Sequence, residues 1–332
     1  MKSLLMTGKM KVFKISFILT VLLFYSSCSI KQMAYKSVAN AMAPLPEQKI
    51  KIKPSADAPN PAVVLTGEDD VELVGNVFPV ILKLYEAMAV QDPKHRGLAV
   101  MTGQLYVTYA NVFVETPAVY LSDDEFDKKN AALLRARKFY LKGADFALSA
   151  LDTAYHGFKE AVFSDKAELI SFYMKKCKNY DVEALYWAGA GLLAAFAIDP
   201  LASDAVQSAA GAVAMLERVC LLNPDYDKGA AWEILTKFYA AAPEGLGGGA
   251  EKAMTAYKKA LSLSNGKRPS IYVTYAQSFC IPAQDGKGFD EALEKALSID
   301  PETDPDNRLV ITLSQNYAKW LKEHKEDFIL GD

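Results

Sequence analysis

The stretch FDEALEKALSIDP, residues 289–301, most restricts what this chain can fold into. Phe289, Leu293, Ala296 and Pro301 follow one another at spacings of 4, 3 and 5. Steps of 4 and 3 keep side chains on one helical face, and a proline ends the helix. The same spacing recurs at Ala212, Leu216, Val219 and Pro224, at Ala253, Tyr257, Ala260 and Asn265, and at Ile81, Tyr85, Met88 and Pro93. A second pattern, with spacings 3, 1 and 3, precedes three of these copies. It comprises Trp187, Ala190, Gly191 and Ala194, then Trp232, Leu235, Thr236 and Tyr239, then Tyr272, Tyr275, Ala276 and Phe279. Large and small residues share one face, and the small ones let another helix approach closely. Each unit therefore reads as a helical hairpin. One hairpin cannot bury its apolar face alone, whereas stacked copies can.

The hairpin resembles the tetratricopeptide repeat, so the expected fold is all-α: helical hairpins stacked as a modified tetratricopeptide-like array. The departures are insertions between paired helices, at Asp199–Ala205, Pro243–Gly249 and, shortest, Ile281–Gly288. They predict a compact array whose loops shape one surface. No convincing strand alternation occurs, and an isolated apolar patch such as Pro61–Leu65 would have no strand partner.

The beginning of the chain reads as targeting sequence. Lys2, Lys9, Lys11 and Lys14 precede an eleven-residue apolar run, Ile15–Tyr25, then Ser26, Ser27 and Cys28. Eleven residues suit a secretory signal and are too few to span a bilayer as a helix. Small residues before a cysteine read as a bacterial lipoprotein signal, with Cys28 lipidated. The expected organisation is a signal peptide over 1–27, an anchored tether and N-terminal segment over 28–65, and a helical domain over 66–332. Five prolines between Pro44 and Pro61 mark a tether or an irregular wrap between anchor and body, with a short helix expected near Ala34–Met42. From Asp70 onward the periodicity is helical. Val74, Val77, Phe78, Ile81, Leu82, Leu84, Tyr85 and Met88 mark one face, and Ser122–Glu125 has capping-box form before a long helix toward Ala154.

Loss of residues 1–27 removes four lysines and no acid, taking the net charge from −3 to −7. An acidic chain is a poor partner for nucleic acid or an anionic membrane surface. Cys177, Cys220 and Cys280 give neither a disulfide framework nor metal spacing and read as buried thiols. His95, His156 and His324 form no metal-ligand pair and read as surface or capping residues. Asp300–Asp306 alternates acids but lacks the glycine and terminal glutamate of a calcium loop. Gly245–Gly249 lacks the lysine of a phosphate loop. No nucleophile–base set is present, so no enzyme, cofactor or metal site is expected. The candidates for a ligand-lining or partner surface are aromatics of the first helices: Tyr186, Trp187, Trp232, Phe238, Tyr239, Tyr272, Tyr275 and Phe279. Core packing is the competing role for each.

Five stretches occur in fixed order: TGEDDVELVGNVFPVILKLYEAM (66–88), KFYLKGADFALSALDTAYHGF (138–158), ALYWAGAGLLAAF (184–196), EGLGGGAEKAMTAYKKALSLSNGK (244–267) and FDEALEKALSIDPETDPDNRL (289–309). Together they resemble the TRAP transporter T component (TatT) family of lipoproteins. The resemblance implies a periplasmic protein anchored through Cys28 and assembled as a homo-oligomer, a trimer. It implies docking of the solute-binding protein of a TRAP transporter, and a channel through the helical body for an apolar ligand. Ser29 lacks the aspartate that retains some lipoproteins at the inner membrane, which points to the outer one. The alternatives are a tetratricopeptide-like factor of outer-membrane assembly or a cell-wall hydrolase on a helical scaffold.

Overall fold

The computed structural model describes residues 33–49 and 63–331. Cys28, the signal segment and residues 50–62 lie outside the described residues. The chain divides into two compact units, one ending at Leu45 and one starting at Pro46. In the first, residues 33–42 are helical, where a short helix was expected.

The second unit is all-helical, with no strand among the described residues. Its longer helices are α1 (Val71–Gln91), α2 (Arg96–Ala110), α3 (Phe126–Ala154), α4 (Ala167–Lys176), α5 (Val182–Ile198), α6 (Ser203–Leu222), α7 (Ala230–Ala241), α8 (Ala250–Leu263), α9 (Pro269–Tyr275), α10 (Gly286–Leu297) and α11 (Arg308–Glu323). The three hairpins read from the repeat are α5–α6, α7–α8 and α9–α10. Their second helices bury the expected face, with Ala212, Leu216, Val219, Ala253, Ala260, Phe289, Leu293 and Ala296 all within 1% of full burial. Asn265 closes α8 in the left-handed conformation (φ 53°), as a C-terminal asparagine can.

Several expectations give way. The first-numbered copy of the spacing, Ile81, Tyr85 and Met88, is only partly buried, and α1 instead buries Val74, Phe78, Leu82 and Ala89. The loops do not shorten along the chain. The α5–α6 turn is confined to residues 199–202, whereas 242–249 is the longest of the three. Ser122 does not complete a reciprocal capping box; its hydroxyl donates to the Glu125 carboxylate at 3.4 Å. Gly191 does not serve its own hairpin. A Cβ there would stand 3.0 Å from the Tyr140 carbonyl oxygen on α3, while the neighbouring Gly189 meets α6 at 2.9 Å from Leu216 and 3.0 Å from the Ala212 carbonyl.

Two helices carry π-turns. α2 continues through Asn111–Glu115 into Thr116–Val119, and α9 continues through Ala276–Cys280 into Ile281–Ala283. Pro117 and Pro282 stand just beyond them. A proline removes one hydrogen bond and crowds the carbonyl four residues back, and a widened turn relieves both.

The array also returns on itself. Leu309 and Leu313 of α11 pack with Val74, Phe78 and Leu82 of α1, and Arg308 donates to the Gly67 carbonyl at 3.0 Å. A buried Arg96 joins further segments. It donates to the Ala150 carbonyl at 3.0 Å, to the fully buried Asp181 carboxylate at 2.5 Å, and to Glu47. Lys49 pairs with Glu183 at 2.5 Å. Residues 46–49, in the stretch read as a tether or an irregular wrap, are held to the body, as a wrap would be.

Candidate ligand-binding surface

The first helices of the hairpins, α5, α7 and α9 with its π-turn, are successive neighbours, and their aromatic residues follow along them as a row of separate groups. The row starts at Tyr186 and Trp187, whose rings are 4.9 Å apart and edge-on. Tyr186 is 8% exposed and packs at 5.0 Å on Tyr226, a ring the repeat pattern did not include. Burial pushes both phenols well above their usual range, so they stay neutral hydroxyls. The Trp187 indole N–H is buried beside the Tyr226 hydroxyl without good hydrogen-bond geometry.

Tyr226 is held in place by a strained turn. Asp227 (φ 41°), Lys228 (φ 55°) and Gly229 (φ 89°) are all left-handed. Two such non-glycine residues cost on the order of 1–3 kcal/mol each unless their surroundings fix them. Arg268 provides that constraint, donating to the Asp227 carbonyl oxygen and, at 2.8 Å, to its carboxylate. Lys228 pairs with Asp304. Burial alone would lower the Arg268 guanidinium, but the Asp227 and Glu233 carboxylates hold it above its ordinary value.

Further along, the eight candidates separate. Tyr239 is 3% exposed and donates to Glu217 at 2.7 Å, with the Lys252 ammonium 4.1 Å from its ring centre. Trp232 donates to the Pro224 carbonyl at 3.2 Å, and Tyr272 to the Gly266 carbonyl at 3.2 Å. These three, with Tyr186, have their rings or polar atoms committed within the fold. Trp187, Phe238, Tyr275 and Phe279 remain partly buried. Tyr275 and Phe279 stand 5.3 Å apart, and Phe238 lies 6.4 Å from Phe196. Their apolar rings can hold an apolar molecule by contact. Tyr226 and Phe196 are not among the eight candidates; Tyr226 lies in the turn before α7, which no helix pattern covers.

Cys177, Cys220 and Cys280 are free and buried, and desolvation pushes their thiols up to about 12, 12 and 11. They are inert at neutral pH. Of the histidines, His95 caps α2 by accepting from the Leu98 N–H at 3.1 Å. Among the described residues no group of three histidine, cysteine or acidic side chains could hold a metal ion.

The fold is that of an all-helical protein built from stacked hairpins. Residues 67–329 match the TRAP transporter T-component family. The chain is also 48% identical over 309 residues to an uncharacterized protein of Treponema pallidum (strain Nichols), covering 93% of this chain and 95% of that one. The chain belongs to the TRAP transporter T-component family, and its role is tied to a TRAP transporter.

Proposed function

We propose that the chain is a periplasmic, lipid-anchored docking subunit of a TRAP-type uptake system. Cys28 carries the lipid, and the helical body engages the solute-binding protein that serves the transporter. Trp187, Phe238, Tyr275 and Phe279 line a passage for an apolar ligand. The observation that carries this reading is the family match across residues 67–329, which takes in every hairpin. The row of partly buried rings supports the ligand part, because such pockets are mainly apolar with few polar groups.

A homo-oligomer, a trimer, belongs to the same reading. Support comes from α1, where Leu73, Val77, Val80 and Leu84 are 42–69% exposed in one stripe at helical spacing. Contiguous exposed apolar surface of this kind marks interaction sites.

The test is capture from the host envelope with the mature chain lacking Cys28, followed by mass spectrometry. A periplasmic solute-binding protein among the retained species supports the proposal. Recovery of outer-membrane assembly proteins instead overturns it.

A further inference from the structure

A shallow groove of about 190 Å³ on the second unit is lined by Tyr120, Asn316, Lys319, Trp320 and Glu323. Both π-turns feed it. The first leads through Thr116–Val119 directly to Tyr120. The second carries Gln277, whose amide donates to the Tyr317 hydroxyl at 2.8 Å. The Tyr317 ring stands 6.1 Å from Tyr120 and 5.9 Å from Trp320, and Tyr120 stands 5.6 Å from Trp320. π-turns recur at functional sites. His324 and Tyr317 lie near-parallel to Trp320 at 4.6 and 5.9 Å and Phe328 stands edge-on at 6.0 Å, so the groove meets Trp320 along the part of the ring these neighbours leave open beside Tyr120.

The lining narrows the ligand chemistry. The rings touch one another and leave no aromatic box to enclose an ammonium group. Lys319 and Glu323 stand 3.9 Å apart and balance in charge, so the groove selects neither anion nor cation. It is too open to remove most of an apolar molecule from water, as apolar pockets do. What fits is a neutral molecule with a C–H face for the rings and hydroxyls for the rim. Asn316, Trp320 and Glu323 occupy successive turns of one helix face, about 5.4 Å apart, comparable to the width of a sugar ring. The amide donates and accepts, the ammonium donates and the carboxylate accepts. We propose that this groove binds a neutral sugar ring, its C–H face against Tyr120 and the open part of Trp320 and its hydroxyls on Asn316, Lys319 and Glu323.

The test uses the ¹⁵N-labelled chain, whose three tryptophans give three indole N–H signals. Trp320→Phe assigns the reporter. N-acetylglucosamine and glucose are titrated first, then a short β-1,4-linked N-acetylglucosamine chain, with choline and phosphate as charged controls. The expected result is a saturable shift of the Trp320 signal with sugar, while Trp187 and Trp232 stay unmoved. Asn316→Ala and Glu323→Ala, both at exposed positions, should each weaken binding about tenfold through a lost hydrogen bond. A response to single sugars identifies a small-molecule subsite, and a response to the chain alone identifies a glycan partner. No Trp320 response to any of the sugars, or an equal response to choline or phosphate, overturns the proposal.

Discussion

Helices α1 and α5 are alike in composition and opposite in use. Each belongs to a helical segment long and apolar enough to cross a membrane, yet the most apolar stretch of Asn179–Ile198 is 67% buried inside the protein and that of Val71–Gln91 only 28%. α5 sits between α3 and α6 and is covered by both. It touches them through Gly191 and Gly189, where backbone nearly meets backbone. α1 packs on α2 along one side, where Leu309 and Leu313 of α11 join the same apolar cluster, and presents Leu73, Val77, Val80 and Leu84 on the other. An apolar helix therefore does not declare its own burial; the number of neighbours it finds decides that.

The largest effect tests the buried member. Leu185 of α5 has no exposed surface. Leu185→Ala should destabilise the body by about 2–5 kcal/mol through lost burial and the cavity left behind. Urea denaturation followed by circular dichroism measures it, and a loss below the cost of an ordinary surface change would mean α5 is not packed as described.

Next comes the close approach of α5 to α6. Gly189→Ala puts a Cβ 2.9 Å from Leu216 and should lose about 1–3 kcal/mol by overpacking, although alanine is the better helix former. A stabilised variant in the same denaturation experiment would show that the two helices are farther apart.

The third concerns how α1 is held. Burial alone would raise the Glu86 carboxyl, but hydrogen bonds from Lys142, Lys83 and Tyr106 bring it down to about 2. A carboxylate with a depressed folded-state pKa contributes stability that is fully present above its unfolded value, near 4.5, and is lost as pH falls toward 2. Wild type should therefore exceed Glu86→Gln in stability at pH 7, with the gap closing between about pH 4.5 and 2. Hydrogen exchange along α1 should rise over the same window before that along α5. A gap independent of pH would remove the ionised carboxylate from the account.

The smallest effect is expected on the outward stripe. Val80→Asn and Leu84→Asn should each change the stability of the isolated chain by no more than about 0.5 kcal/mol, since both side chains are already in water. Sedimentation should show loss of self-association in the double variant. An association unchanged by it would leave the stripe without the role proposed for it.

Much of the fold is legible in the sequence because helix faces and helix ends are local matters. The 4-3 spacing marks the faces of α6, α8 and α10 correctly, and Asn265 stops α8 where it stands. The row of aromatics is half legible. Spacing identifies rings on the first helices, but Tyr239 is core while Phe238 beside it is only partly buried. Tyr120, Tyr317 and Trp320 come together from segments about two hundred positions apart, which no local pattern could announce. The π-turns have a sequence cue in Pro117 and Pro282, although proline alone does not distinguish a widened turn from a helix end.

The sequence by itself determined that this chain is helical, where its hairpins lie and which face of each second helix is apolar. Those follow from periodicity, terminators and small residues, all set within a few positions along the chain. Only the tertiary structure decided that α11 returns to α1, that Arg96 finds Asp181, and that α5 is enclosed while α1 keeps an apolar face in the open. The reason is that burial and ion pairing depend on which surfaces meet, and those surfaces come from helices far apart in sequence.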